Sequence, residues 1–586
     1  MKRKTRFPDM WYAVTLLLLA FIILFRWAAF RLEFKEQISI FMLGADRMSW
    51  YLSNPAVVVS MAGDWLTQFY ANGRWGALFS ALLMVLTLLG LVRFFRLSEP
   101  QRPVCWMLLV LPVMVEGYFI PYPNYPVSAT LGLVVTVWTA CLLAHIKDYR
   151  YCLWIYGLSV PVMFVIAGSH AFTLALLLGF LKRREGLAFI LTLVAGVVLM
   201  LLAGRLYNLS LLHTLLWPVT PDYIIPGTGM LLAQPWCILL VLILTLHYRK
   251  VMFSIGIRFV LSFLFIITIP VFRWNVINEL EDTVKIGTLA YHEQWKEVKK
   301  MADEPGRYNS YYYNLCNARE GRLPDKLLEG EWGKSSNILF LSTGKGDPYF
   351  SMIYYTDALL EMGDLSQATD CALLAQTIMP GHYSTRMLRR LAEISVVAGD
   401  YEVALKYLDI LSRTRNHKVW ANDMTDCILK DSIPQKYLIL RSRTADRDHF
   451  FTQGDIRGSL KIIADESPLN KVAIDYLLCS YLLEKNLGTF VSLYEKYYLD
   501  RLDRYVAVSD LYQEALLVNV NSGESLREAV QKYHLSDKVV NRYIAFLEAQ
   551  SNTEEEGFVL SKDWEGTYWH YIMKVKFSSG NQRNEE

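Results

Sequence analysis

The 586-residue chain has no CxxC pair and no Cys/His cluster among its eight cysteines. It also lacks a P-loop, a GxGxxG, an HExxH and a nucleophile elbow. Metal ligation, ATP hydrolysis and protease chemistry are therefore without positive support, and neither a metal nor a cofactor is expected. Net charge is scarce too: 59 Lys and Arg against 56 Asp and Glu leave a formal +3, too little to imply nucleic acid as a partner. No alternating run is long enough for a sheet, which leaves an all-α fold. Cys105, Cys141, Cys152 and Cys237 fall in apolar stretches and read as small core residues. Cys316, Cys371, Cys427 and Cys479 are scattered along the second half and read as buried thiols rather than a disulfide framework.

What the chain does have is apolar length, concentrated at one end. Of all residues 53% are hydrophobic, and the apolar runs stop near residue 274. Nine spans are predicted, at 11–30, 76–92, 103–120, 127–145, 151–168, 170–181, 186–204, 231–247 and 257–273. The first follows a basic start (Lys2, Arg3, Lys4, Arg6) and reads as an uncleaved anchor. With an inside N-terminus, fifteen Lys and Arg fall in inside segments before residue 275, against five outside: Arg31, Lys35, Arg47, Arg74 and Arg205. That bias sets the orientation and requires the short span 170–181, without which Lys182–Arg184 would lie outside. The expectation is a multipass protein of the cell (inner) membrane with its C-terminal half extracytoplasmic and the lipid bilayer as one partner. Two outside loops, 31–75 and 205–230, exceed simple connectors. The first reads as two amphipathic surface helices broken at Asn54-Pro55, and the second as a proline-rich segment folding back over it.

Residues 275–586 are patterned as stacked helices. Gly363-Asp364 and Gly399-Asp400 read as turns inside two units of about 36 residues, with Ala368, Ala375 and Ala404 at fixed offsets behind them. Further turns are predicted at Gly321 and Lys485-Asn486. The pattern resembles the tetratricopeptide (TPR) repeat, whose concave face takes protein or peptide partners. Alignment on the two glycines puts Phe350, Arg386, Arg389 and Glu393 on that face. Arg386 and Arg389, three apart, are expected to grip a carboxylate or phosphate together.

Three segments, YLSNPAVVVSMAGDWLTQFYANGRWGAL (residues 51–78), NLCNAREGRL and YLLCSYLLEKNLGTF, carry a resemblance to an uncharacterised family of bacterial multipass membrane proteins with a TPR-like C-terminal half. A fainter, topology-level resemblance is to the GT-C glycosyltransferases. These enzymes place two surface helices and a catalytic acid after their first span and use polyprenyl-phosphate-linked sugars. That likeness implies a carboxylate to take an acceptor proton, for which Glu33, Glu36 and Asp46 are the candidates with Asp64 further on, and Arg47 or Arg74 for a phosphate. Glu116, an intramembrane acid, and His170, at a tight turn, complete the candidate acid/base groups.

Two functions follow from these features. One is a membrane-anchored protein whose extracytoplasmic repeat half binds a protein or peptide. The other is a GT-C-like transferase acting on a polyprenyl-phosphate lipid at the outer face. The residues alone favour the first, because no catalytic signature is present, and they leave open whether the chain is an enzyme.

Overall fold

The computed structural model describes residues 6–101, 104–146, 149–183, 186–219, 228–247, 274–304, 306, 308–329, 338–341, 348–445, 455–499, 508–520, 526–551 and 564–574. Among them there is no strand. The span expected at 257–273 lies outside the described residues, as do Pro221, Asp222 and Pro226 of the second loop. The chain divides into two compact units. The first comprises Met1–Lys285, Thr377–Leu388 and Asp409–Asn422; the second comprises Ile286–Gln376, Arg389–Leu408 and Asp423–Glu586.

The first unit contains α1 (Arg6–Gln37), α2 (Ala45–Leu52), α3 (Val57–Thr67), α4 (Gly73–Ser98), α5 (Trp106–Phe119), α6 (Val127–Leu143), α7 (Tyr149–Ala167), α8 (His170–Leu181), α9 (Leu187–Leu206), α10 (Leu211–Leu216) and α11 (Thr228–His247). It also holds the start of α12 (Trp274–Tyr291). Four of these helices, α1, α4, α9 and α11, are long and apolar enough to cross a membrane, whereas α5 to α8 are shorter apolar helices. Glycine lets them approach closely. A Cβ on Gly73 would stand 2.5 Å from the Ala29 carbonyl of α1, and one on Gly63 would stand 2.6 Å from the Ser128 nitrogen of α6. Backbone contact through small residues is how apolar helices pack where no water drives them together.

α1 runs seven residues past the predicted end of the first span. Its last two turns carry Arg31, Lys35, Glu36 and Gln37, all buried. The helix continues because each of these groups finds a partner. Arg31 Nε meets Glu281 at 2.9 Å, Lys35 Nζ donates to the Tyr125 carbonyl at 2.7 Å, and Glu36 accepts from Asn416 at 2.9 Å. Gln37 accepts from Arg386. The predicted break at Asn54-Pro55 separates α2 from α3, and Ala56 turns the corner at φ 62°. The second loop does fold onto the first, since the Trp217 indole donates to the Pro55 carbonyl at 2.8 Å.

In the second unit the helix joints repeat one device. At Gly321, Gly363 and Gly399 the backbone is left-handed, with φ of 70°, 85° and 87°. The next residue's amide reaches back five residues, as Asp364 does to Leu359 and Asp400 to Ser395, both at 2.9 Å. This is the Schellman closure, which satisfies carbonyls that a helix end leaves open. Lys485 repeats it at φ 59°, as do Glu293, Asp431 and His534, where no glycine announces a turn. Behind the turns Ala368, Ala375 and Ala404 are completely buried, the small side chains that close helix packing requires.

Candidate functional site

The first unit holds its buried polarity where the two loops meet. α2 and α3 sit side by side because Asp64 Oδ2 accepts from Arg47 Nη2 at 2.8 Å and from the Tyr51 hydroxyl at 2.6 Å. The Arg47 guanidinium also lies 4.1 Å from the Trp50 ring centroid and 5.7 Å from that of Tyr383, and its Nη1 donates to the Gly381 carbonyl. Its Nε is buried without a hydrogen-bond partner. Burial works against the guanidinium charge, but the Asp64 carboxylate and the Tyr51 hydroxyl outweigh it and hold the arginine pKa above its ordinary value. Burial, followed by the Asp64 charge, pushes the Tyr51 phenol up, so it stays a donor.

These groups open on a cavity of about 80 Å³ lined by Lys35, Arg47, Ser60, Asp64 and Asn124, with Trp217 and Pro218 of the second loop on its wall. Pro218 also borders a larger cavity of about 420 Å³, lined by Tyr125, His170 and Gln234 among apolar side chains. Tyr125 connects the two by its chemistry. Its carbonyl accepts from Lys35, while its hydroxyl donates to Glu116 Oε1 at 2.8 Å. Thr130 donates to the same oxygen at 2.5 Å, and Gln234 Nε2 donates to Oε2 at 2.7 Å. A carboxylate this deep needs such donors, because an unmatched charge in a dry interior is costly.

The sequence-predicted residues therefore scatter. Glu116 and His170 belong to the larger cavity's surroundings, and His170 packs so tightly that a Cβ on Gly132 would meet its Cδ2 at 2.6 Å. Glu36 faces Asn416, with His417 Nε2 3.4 Å away. Asp46 is exposed in the first turn of α2, where a carboxylate complements the helix dipole. Glu33 lines a separate cavity with Arg74. Among the described residues no group of three His, Cys, Asp or Glu could hold a metal ion.

The expected peptide-binding face is corrected by burial. Arg386 is wholly inaccessible, with Nη1 on Gln37 Oε1 at 3.1 Å, and Phe350 and Glu393 are also buried. Arg386 and Arg389 do not act together, because Arg389 turns instead to Glu393 at 3.3 Å. The ion network of that helix centres on Arg390, which donates to Asp357 at 2.8 Å and to Glu393. Burial alone would raise the Glu393 pKa, yet Arg390 and then Arg389 bring it down to about 2. Arg386, Arg389 and Arg390 share one helix, and spacing alone did not tell that Arg386 meets Gln37 while Arg389 and Arg390 converge on Glu393.

Sequence reasoning missed Lys35, Tyr51, Thr130 and Gln234 as site residues. Gln234 had a usable signal, being a lone amide within an apolar span, and such a residue needs a partner like Glu116. Lys35 had none, since a lysine after a span ordinarily extends to water.

The chain belongs to a Family of unknown function (DUF6057), whose model matches residues 4–575. Neither the curated proteins nor the solved structures gave a match.

Proposed function

We propose that the cavity beneath the two loops is the active site of a GT-C-like transferase that takes a sugar from a polyprenyl-phosphate carrier at the outer face of the membrane. The observation that carries the reading is the juxtaposition, at the end of the first span, of two cations and one acid on a single cavity: Lys35, Arg47 and Asp64. Lys35 and Arg47 Nε suit a phosphate, as buried charge-assisted donors. An acceptor hydroxyl attacks the anomeric carbon, the bond from that carbon to the phosphate oxygen breaks, and Asp64 takes the hydroxyl proton. The polyprenyl phosphate then leaves as an anion held by the two cations.

This reading includes the nine-span topology with a cytoplasmic N-terminus and an outside C-terminal half, motivated by the Lys/Arg bias. It also takes the second unit as a TPR-like stack that recruits a protein or peptide, motivated by its recurrent left-handed helix joints. Phe350, Arg386 and Glu393, being buried, are not offered as the surface that does so.

The test uses full-length protein in detergent with a polyprenyl phosphate as the probe. Wild type should retain it, and Lys35→Met should weaken retention about tenfold, the effect of one charge-assisted contact. Equal retention by both forms sinks the site. A periplasm-active reporter fused after Lys300 should work while a cytoplasm-active one stays dark, and the reverse pattern sinks the topology.

A further inference from the structure

A separate cavity of about 620 Å³, with both charged and apolar lining, lies beside residues 25–33 of α1 and shares no lining residue with the two cavities around Lys35 and Gln234. Its wall mixes both signs of charge: Arg26, Arg74 and Lys285 against Glu33, Glu281 and Asp282. Phe25, Trp27 and Phe30 line it as well. Arg74 lies 5.8 Å from the Phe25 ring centroid and Lys285 5.7 Å from that of Phe30. Aromatic rings beside basic side chains, directly after an apolar helix stretch, mark the headgroup level of a bilayer.

Below this pocket α1 leaves a stripe uncovered. Trp11, Val14, Leu18, Ile22 and Phe25 are 61, 41, 55, 60 and 38% exposed. Their spacing of three and four puts them on one helix face. At 1.5 Å per residue the stripe is roughly 21 Å long, more than the ~15 Å of hydrocarbon in one leaflet. Phe25 belongs to both features, so an apolar track runs from the hydrocarbon to a mixed-charge pocket.

We propose that this pocket binds a bilayer phospholipid carrying a phosphate and a primary ammonium, of the phosphatidylethanolamine class, with one acyl chain along the stripe. Arg26 and Arg74 suit the phosphate. The pocket's carboxylates, Glu33, Glu281 and Asp282, suit the ammonium. The same carboxylates repel a phosphatidylglycerol headgroup, which brings negative charge with nothing to offset it. A trimethylammonium has no N–H to donate to them, which disfavours phosphatidylcholine. The inference is independent of the transferase reading, for it uses none of the same side chains.

The experiment offers dioleoyl phosphatidylethanolamine, phosphatidylcholine and phosphatidylglycerol at equal concentration to the full-length protein in detergent, then measures co-purified lipid by mass spectrometry. Wild type should retain the ethanolamine lipid about tenfold over the other two. The Arg26→Gln/Arg74→Gln double variant should lose that retention, and Asp282→Asn should lose the preference among the three lipids. Should the double variant fail to fold, Asp282→Asn at its exposed position decides alone. Equal retention of all three by wild type, or an unchanged preference in Asp282→Asn, overturns the proposal. Excess glycerophosphoethanolamine, which has the headgroup but no chains, should not displace the lipid; displacement would remove the role given to the stripe.

Discussion

Glycine does different work in the two units. In the first, Gly63 and Gly73 sit inside helical segments or at a helix start, where a neighbouring backbone occupies the space a Cβ would need. In the second, Gly321 has no atom within 4 Å of that position, but its φ of 70° is one that side-chain-bearing residues resist. Buried charge follows the same division. The first unit gathers it where its loops meet, around Asp64 and Glu116, whereas the second ties Arg390, Asp357 and Glu393 together inside a helical stack. Apolar helices supply no polar partners along their length, so the first unit must pack by close backbone approach and keep its charges at the ends. Amphipathic helices carry acids and bases on their own faces, and the left-handed glycines of the second unit fall where the chain reverses, while Gly287 inside a helix leaves room for the Tyr354 ring.

The largest effect expected from breaking this contrast is at Arg390. Arg390→Met removes the cation that Asp357 and Glu393 share in a buried site and leaves Arg389 beside Glu393, which costs about 4 kcal/mol. Thermal unfolding of the second unit should shift down accordingly at pH 7. Acid titration supplies the sign. Glu393 is depressed to about 2 in the folded chain, below its ordinary carboxylate value of 4.5, so its contribution is fully present above pH 4.5. That contribution, roughly 3 kcal/mol, is lost as pH falls from 4.5 toward 2. The Arg390→Met protein should lack most of this acid-dependent loss, and an identical acid profile would contradict the network.

The same substitution at two glycines then separates the two uses. Gly63→Ala places a methyl 2.6 Å from the Ser128 nitrogen and 2.7 Å from its Cα, and backbone cannot swing aside as a side chain can. A loss of about 2–3 kcal/mol is expected, read as a lower thermal midpoint in detergent. Gly321→Ala meets no neighbour and strains only its own φ, so about 1 kcal/mol is expected there. If the second change proves as damaging as the first, the distinction between space and conformation fails.

Much of the helical layout is legible in the sequence. α8 spans His170–Leu181, where the sequence placed a short span, and the break after α2 falls at Asn54-Pro55. Proline and glycine mark such boundaries through local sterics, which need no tertiary context. The turns at Glu293, Asp431 and His534 escaped notice because residues with side chains hold a left-handed φ there. The surrounding packing imposes that conformation, and no local preference records it.

Side-chain pairing shows where the sequence stops determining this protein. By itself it set the all-α class and the apolar first half, because periodicity and hydropathy are additive local properties. Of the nine spans it predicted, four helices among the described residues are long and apolar enough to cross a membrane. Tertiary structure alone decided that Asp64 meets Arg47 seventeen residues away, and that Gln234 reaches Glu116 across 118. It likewise buried Arg386 against Gln37, 349 residues distant, and so removed it from the face that helical spacing had assigned. Which acid meets which base depends on how helices cross, and crossing is fixed by packing among residues that are far apart in the chain.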